Sequence, residues 1–357
     1  MTYRFSVVIL TGGPVRPEMT ARAIQSVNTQ SFASIQRILI NNGRSKEELK
    51  EIEEIWGIQS SLQGWEIVDV GRNSYDPDDL TSLWGIPGER VVDLLIGEFT
   101  FIQNDDDFLS QDFFERIDEH FSNYPQALTA FGLAIDWNWE TLTSFEREYG
   151  SWVNRPLIEN GQMLFARVYS GNNPSYNVNP GFSYVCRTDY VKRAGTNFFR
   201  GGAPDYPSLM QIVPAGDTIF DSKARMYLGR HANQQRHEWQ QRQAVEGIYY
   251  KGQEEFKRIN LEGAAKTQTL TRENRVSIIK YFDECMVEAA IDSLLFIYQN
   301  RKSLTWSEVS MPKMILKHLE IARKKPFFAF SKFWMHVRPF LTIRFHRLLK
   351  ISRREGF

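Results

Sequence analysis

Between residues 5 and 135, short apolar runs rich in β-branched residues alternate with segments whose apolar side chains recur at helical spacing. That alternation restricts the fold more than any other feature, because it calls for parallel strands joined by crossover helices. The first run, residues 5–10, is stopped by Gly12, Gly13 and Pro14, as expected of a buried parallel strand. Met19, Ala23, Ile24 and Val27 then fall on one helix face. Residues 35–40 read as a second strand, and Ser45 and Glu48 have capping-box spacing at the start of a helix through Ile52 and Ile55. A third strand, 65–70, leads into a turn-rich stretch from Gly71 to Gly88, after which Val91, Leu94 and Leu95 suggest a helix. The fourth strand, 99–102, runs directly into Asn104, Asp105, Asp106 and Asp107. Ser110 is placed to cap a helix carrying Phe113, Phe114, Ile117 and Phe121, and 127–135 form a further strand. The expected fold class is α/β, a mostly parallel sheet flanked by helices.

Residues 136–268 are less regular and rich in aromatics, Asn and Gly, which suits loops and short strands around a cleft. From Val276 through Ile279, Phe282, Met286, Ala290, Leu294 and Ile297 a long helix is expected, reaching Asn300. The chain therefore divides into a domain at 1–268, with halves at 1–135 and 136–268, and a helical, basic and aromatic extension at 269–357. Lys plus Arg and Asp plus Glu each number 43, so overall charge selects no partner, and no nucleic acid is expected. Cys186 and Cys285 are the only cysteines and have no metal-ligand spacing, which suits reduced thiols in the cytosol. The apolar stretch at 5–10 is too short for a signal-peptide core, and no run reaches the ~18 apolar residues of a membrane span. A cytoplasmic location follows as the expectation, with attachment to a membrane surface left open. Residues 312–357 hold twelve Lys or Arg against two Glu, interleaved with Phe327, Phe328, Phe330, Phe333, Trp334, Phe340 and Phe345. Such a stretch can lie on an anionic bilayer or pack back as a solvated basic face, and Pro326 and Pro339 keep any helix in it short.

The acidic triplet carries the chemistry. Ligands of open α/β sheets bind beyond the carboxyl ends of strands, where these three residues fall. Clustered carboxylates repel one another, and hard oxygen ligands suit Mg²⁺ or Mn²⁺. A divalent ion bridging them to a diphosphate would neutralise a leaving nucleoside diphosphate. The alternative is a solvated turn whose Asp residues cap the next helix.

Residues 6–11 (Ser-Val-Val-Ile-Leu-Thr), Ala-Ile-Gln-Ser-Val at 23–27 with Gln30, Arg-Ile-Leu-Ile-Asn-Asn-Gly at 37–43 with Ser45, and Gly-Glu-Phe-Thr-Phe-Ile at 97–102 before the triplet occur in order. Together they resemble glycosyltransferase family 2 over roughly residues 5–125. The resemblance implies a GT-A type nucleotide-binding domain, a nucleotide-sugar donor, a divalent metal (Mn²⁺ or Mg²⁺) and a glycan or lipid-linked acceptor. It implies donor contacts from Thr11, Gly12, Arg16, Asn41, Asn42, Arg90, Asp105 and Asp106. It implies metal ligation by Asp105, Asp107 and His231, with Asp106 as the alternate ligand. This sequence departs from the family pattern in three places: Gly12 to Arg16 replaces the usual Asn-Arg, Asn41 or Asn42 stands where an Asp holds nucleobase and ribose, and Arg90 lies closer to Gly97 than the family's Arg, which leaves a surface helix charge as its other reading.

The segment from Gly201 to Tyr206 resembles the acceptor-side element that supplies a catalytic carboxylate, which makes Asp205 the expected general base of an inverting transfer. A simple helix cap is the other reading of Asp205. Arg230 and His231, in Gly229-Arg-His-Ala-Asn233, resemble a late family segment that contacts metal or diphosphate, and His237 competes for that role. Trp137, Trp139, Trp152, Tyr169, Tyr176 and Tyr184 suit either core packing or an acceptor groove that stacks on sugar rings. Residues 11–17 bear a faint likeness to the Gly-rich loop of sugar-nucleotide nucleotidyltransferases, but its second half fails; a Rossmann dehydrogenase fingerprint is absent. A non-catalytic sugar-binding or scaffold protein of the same fold is the non-enzymatic alternative.

Overall fold

The computed structural model describes residues 3–12, 16–71, 82–145, 157–169, 184–201, 206–231, 243–244, 246–299 and 311–324. Its strands are β1 (Phe5–Gly12), β2 (Ile35–Asn42), β3 (Trp65–Asp69), β4 (Phe99–Asn104), β5 (Phe108–Leu109), β6 (Ala127–Asn138), β7 (Thr143–Phe145), β8 (Ile158–Asn160), β9 (Tyr184–Arg187) and β10 (Asp217–Arg230). Its helices are α1 (Pro17–Asn28), α2 (Lys46–Ile55), α3 (Ser82–Val91), α4 (Phe113–Asn123), α5 (Gly161–Tyr169), α6 (Thr188–Ala194), α7 (Thr196–Arg200), α8 (Ile248–Lys266), α9 (Arg272–Gln299) and α10 (Met311–Arg323). The sheet order is β3-β2-β1-β4-β9-β6-β10-β5, with β7 beside β6 and β8 beside β10. β3, β2, β1 and β4 are mutually parallel, as the alternating pattern predicts. The chain leaves β1 towards β2 and β3 and returns on the other side to β4. A crevice therefore opens beyond the carboxyl ends of β1 and β4, the topological switch point where such sheets take their ligands.

β1 is buried from Phe5 to Thr11, so neither face meets water, and each of its apolar side chains contributes ~1.5–3 kcal/mol by burial. Phe5, Val7 and Ile9 join Ile24 and Val27 of α1 and Phe113, Phe114, Ile117 and Phe121 of α4 in one core. Phe99 and Phe121 stack with ring centres 3.8 Å apart, and Phe5 meets Phe114 at 5.0 Å. Gln30 ties these helices together: its Nε2 donates to the carbonyls of Ser26 and Ser110, and its Oε1 accepts the Phe114 N–H. Gln30, rather than Ser110, therefore serves the start of α4. The Ser110 hydroxyl instead accepts the Arg225 N–H.

The capping box of α2 forms as expected. The Ser45 hydroxyl accepts the Glu48 N–H, and the Glu48 carboxylate accepts the Ser45 N–H. The third helix differs from its sequence reading. It runs over Ser82–Val91, earlier than Val91, Leu94 and Leu95 suggested, and holds Pro87 within it. Packing overrides propensity here: Gly88 lies so close to Phe199 of α7 that a Cβ would overlap its ring, and Gly85 lies against Arg200.

β6 and β10 pair in parallel along most of their length, but the register jumps between Asp221 and Arg225, leaving 222–224 outside the ladder. β9 runs antiparallel between β4 and β6, and β5 antiparallel to the end of β10. The chain separates into two compact units, one of residues 1–234 with 254–281, the other of 235–253 with 282–357. The expected boundary at 268/269 instead falls between α8 and α9, within the first unit. α9 realises the long helix, with Ile278, Phe282, Ala290 and Ile297 buried, although Val276, expected on the inner face, is 60% exposed. In the second unit the ring of His318, on α10, is fully buried. Its Nε2 donates to the Ala244 carbonyl, and its Nδ1 therefore accepts from the Tyr250 hydroxyl. Among the described residues, no helix is long and apolar enough to cross a membrane. The basic and aromatic stretch from 325 onward lies outside the described residues.

Candidate functional site

Asp105, Asp106 and Asp107 form the tight turn between β4 and β5, closed by the Asp107 N–H on the Asn104 carbonyl at 3.4 Å. The turn sends Asp105 towards β1 and α1, and the other two carboxylates towards β10. Asp105 is buried, and its Oδ2 accepts from Thr11 Oγ1 at 2.7 Å, Thr20 Oγ1 at 3.0 Å and the Gly12 N–H at 3.3 Å. Behind both threonines stands Arg44, just beyond β2. Its Nε donates to Thr11 Oγ1 at 2.6 Å, and its Nη2 to Thr20 Oγ1 at 3.2 Å and Asp105 Oδ2 at 3.4 Å.

Asp106 and Asp107 face the end of β10. Asp107 Oδ1 accepts the Gly229 N–H at 2.8 Å, and Asp106 Oδ2 stands 3.3 Å from His231 Nε2. The Asp106 carbonyl accepts from Trp139 Nε1 at 3.0 Å. That carbonyl approaches Gly229 so closely that any Cβ there would overlap it, so the position requires glycine. Trp139, Trp137, Phe108 and Tyr227 form one aromatic cluster, with Phe108 stacked on Tyr227 at 4.6 Å and edge-on to Trp137 at 5.3 Å. The Arg22 guanidinium lies over the Phe108 ring at 4.9 Å.

Burial pushes the Asp107 carboxyl well above the usual range, and the charge of Asp106 adds to the shift, with the Gly229 N–H and Arg230 opposing. Burial also raises Asp105, with Arg44 opposing. A divalent cation would relieve this repulsion; the carboxylates of Asp106 and Asp107 are hard donors suited to Mg²⁺ or Mn²⁺, and the softer His231 imidazole stands beside Asp106. The three expected ligands, Asp105, Asp107 and His231, each meet a different partner. Among the described residues, no three His, Cys, Asp or Glu side chains gather around one point, so Asp105, Asp107 and His231 do not form a closed cage. The reason is that Asp105 is occupied by the threonines and Arg44, while His231 is drawn to Asp106. The residues still fit a cation that keeps part of its shell for phosphate oxygens and water, as Mg²⁺ does.

The other expected donor contacts are distributed as follows. Thr11 and Gly12 stand beside Asp105. Asn41 is consumed by its own loop: its side chain donates to the Arg44 carbonyl at 2.9 Å and accepts the Arg44 N–H at 2.8 Å, with Gly43 at a φ of 105° between them. Asn42 is buried at the end of β2; Arg16 is exposed at the N-cap of α1, and Arg90 is exposed in the last turn of α3. Arg230, expected on phosphate, pairs with buried Asp136 at 2.6 Å. Tyr184 is a core residue whose hydroxyl meets Ser208 Oγ at 2.8 Å. Asp205, His237, Trp152 and Tyr176 lie outside the described residues, as does the side chain of Tyr169. Cys186 is buried and its thiol pushed far up by burial, so it is inert. Sequence reasoning missed Arg44, Thr20 and Gly229 as members of the site. The Gly43-Arg44 pair directly after a strand was the available signal for the first.

No protein-family model matches the sequence, and no curated protein sequence matches it. Solved structures do resemble it. S. aureus TarS 1–349 in complex with UDP-GlcNAc superposes with a TM-score of 0.50 at 12% identity, over 99% of this chain and 92% of that one. TarS 1–349 in complex with UDP gives 0.43 over the same shares, and a longer TarS gives 0.42 over 92% of this chain and 55% of its own. The first of these likenesses shows the fold: a curled, mostly parallel sheet flanked by helices, of the GT-A type, with a helical C-terminal region.

Proposed function

We propose that the chain is a glycosyltransferase that takes its sugar from a nucleotide-sugar donor bound over the carboxyl ends of β1 and β4. The observation that carries this reading is the acidic turn at the switch point, two of whose carboxylates face the end of β10 beside His231. The fold likeness to a protein solved with UDP-GlcNAc supports it.

In this reading Thr11, Gly12 and Asp105 line the nucleotide side of the crevice, while Asp106 and Asp107 would supply carboxylate ligands to a divalent ion, Mg²⁺ or Mn²⁺, with His231 beside Asp106. When bound, that ion supplies the positive charge that stabilises a departing nucleoside diphosphate. Asp107 anchors the site by taking the Gly229 N–H, which fixes its carboxylate before any ligand arrives. Trp139 holds the Asp106 main chain in place. Asp205 is proposed as the base that accepts the acceptor hydroxyl proton, giving single displacement with inversion. The acceptor is a glycan or lipid-linked glycan, and the basic stretch 312–357 is proposed to meet an anionic membrane.

Donor hydrolysis measured with Mn²⁺, with EDTA and across a panel of nucleotide sugars tests the reading. Asp107→Ala should abolish turnover and weaken metal-dependent nucleotide binding while the fold persists. Full activity under EDTA would exclude the metal. Asp205→Asn should lower the rate by ~10²–10⁴ with donor affinity nearly kept. A product of retained anomeric configuration would exclude inversion.

A further inference from the structure

Arg44 is an unusual residue to find inside the crevice. Its side chain is only 3% exposed, and it sits where β2, β1 and β4 end side by side. The two nitrogens of its fork serve two threonines at once: Nε binds Thr11 Oγ1 and Nη2 binds Thr20 Oγ1. Each hydroxyl, accepting from Arg44, donates its own hydrogen bond to the same oxygen, Asp105 Oδ2. Two parallel relays therefore run from one guanidinium to one carboxylate oxygen, and the direct contact at 3.4 Å closes the figure. A lysine presents a point charge and cannot span both hydroxyls in this planar way.

The backbone under Arg44 is fixed as firmly as its side chain. Asn41 grips both its N–H and its carbonyl, and Gly43 supplies the left-handed turn between them. Gly12 packs so tightly on the Asn42 carbonyl that a Cβ there would overlap it, and the β1–β2 pairing runs to Gly12 and Asn42, which joins the two ends. A buried ion pair of this kind adds little to stability beyond what apolar packing would give, which leaves placement of charge as its use.

We infer that Arg44 is a positioning residue of the donor site, holding Asp105, Thr11 and Thr20 as one preset buried support beneath the nucleotide half of the donor. The inference rests on the reading of this crevice as a nucleotide-sugar site. It removes Asp105 from the metal shell and divides the triplet: the first Asp serves the nucleotide through Arg44, and the other two serve the cation end. It also explains how the chain dispenses with an acid at the end of β2, since Asn41 is spent on building the loop that presents Arg44.

The test measures UDP and GDP affinity by calorimetry, and donor KM and kcat with whichever nucleotide sugar the wild type turns over, for wild type, Arg44→Lys and Arg44→Met. Loss of charge-assisted hydrogen bonds should weaken nucleotide binding and raise KM roughly tenfold to a hundredfold in Arg44→Met, with kcat within about threefold. Arg44→Lys keeps the charge and should fold, yet recover only part of the affinity. If Arg44→Met fails to fold, Arg44→Lys decides: at least about threefold weaker binding supports the inference, and wild-type binding overturns it. Lowered kcat at unchanged KM also overturns it. A wild type that binds neither nucleotide and turns over no donor overturns the donor reading together with this inference. Binding equal in all three proteins overturns the inference alone.

Discussion

At the scale of single residues, the site depends on close approaches that tolerate little change. Gly229→Ala would drive a methyl group into the Asp106 carbonyl, and overpacking of this kind costs ~1–3 kcal/mol. The variant should fold with a lowered melting temperature and lose most donor hydrolysis, because the acidic turn must shift. Asp221 offers a separate test remote from the site. Burial pushes its carboxyl up, but hydrogen bonds from His120 and the Lys223 N–H and the charge of Arg116 outweigh it and bring the pKa down to about 2. The unfolded value lies near ~3.9, so this stabilisation is complete above that pH and is lost as pH falls towards 2. Asp221→Asn should therefore destabilise the protein by about 2 kcal/mol at neutral pH. Denaturant midpoints of the two proteins should converge on acidification below pH ~4, and a gap unchanged at pH ~3 would contradict the assignment. The acidic triplet was legible in the sequence because three carboxylates after an apolar strand have few uses. The partners of each carboxylate were not, since Thr20, Arg44 and Gly229 come from distant segments that only the sheet brings together.

At the scale of elements, local signals succeeded where local chemistry decides. The capping box of α2 is set by two residues three apart, and it forms as read. Ser45→Ala should cost about 1 kcal/mol, observable as a shift in thermal midpoint with activity retained. The parallel strands were equally clear, because burial on both faces leaves continuous apolar runs. α3 was misplaced because its cause is tertiary: a helix containing Pro87 persists where Gly88 admits the ring of Phe199. Gly88→Ala should destabilise by ~1–3 kcal/mol despite the better helix propensity of alanine. An alanine variant as stable as wild type would mean that propensity, not packing, governs this helix.

At the scale of the whole molecule, the sequence conveyed one large α/β domain followed by helices, but not how the units divide. The second unit draws on 235–253 as well as on the C-terminal residues, and no periodicity announces such a return of the chain. Its buried His318 has a pKa lowered first by desolvation, then by Lys317 against the Ala244 hydrogen bond. The neutral ring thus stabilises the unit above the unfolded value of ~6.5, and that stability falls away as pH drops through 6.5 towards the lower folded value. Hydrogen-exchange protection of α10, taken relative to the intrinsic exchange rate at each pH, should fall at pH ~5.5 relative to 7.5 and lose that dependence in His318→Gln. The same burial bears on the membrane proposal. A truncation after Met311 removes His318 and its helix, whereas one after Lys324 spares them. Co-sedimentation with anionic liposomes should be lost on truncation after Lys324, and equal pelleting of both forms would refute membrane attachment through 325–357.

The three residues of β10 that stand outside the β6 ladder give this architecture a degree of evolutionary freedom. Ser222 and Lys223 are exposed, Ala224 returns to the core, and pairing resumes at Arg225. Lineages can gain or lose a residue there without rotating the strand. One deletion between Arg225 and Gly229 would instead turn every later side chain to the opposite face and bring a bulky residue against Asp106. Deletion scanning along β10 should therefore divide into a permissive segment and a lethal one, with the border at Ala224.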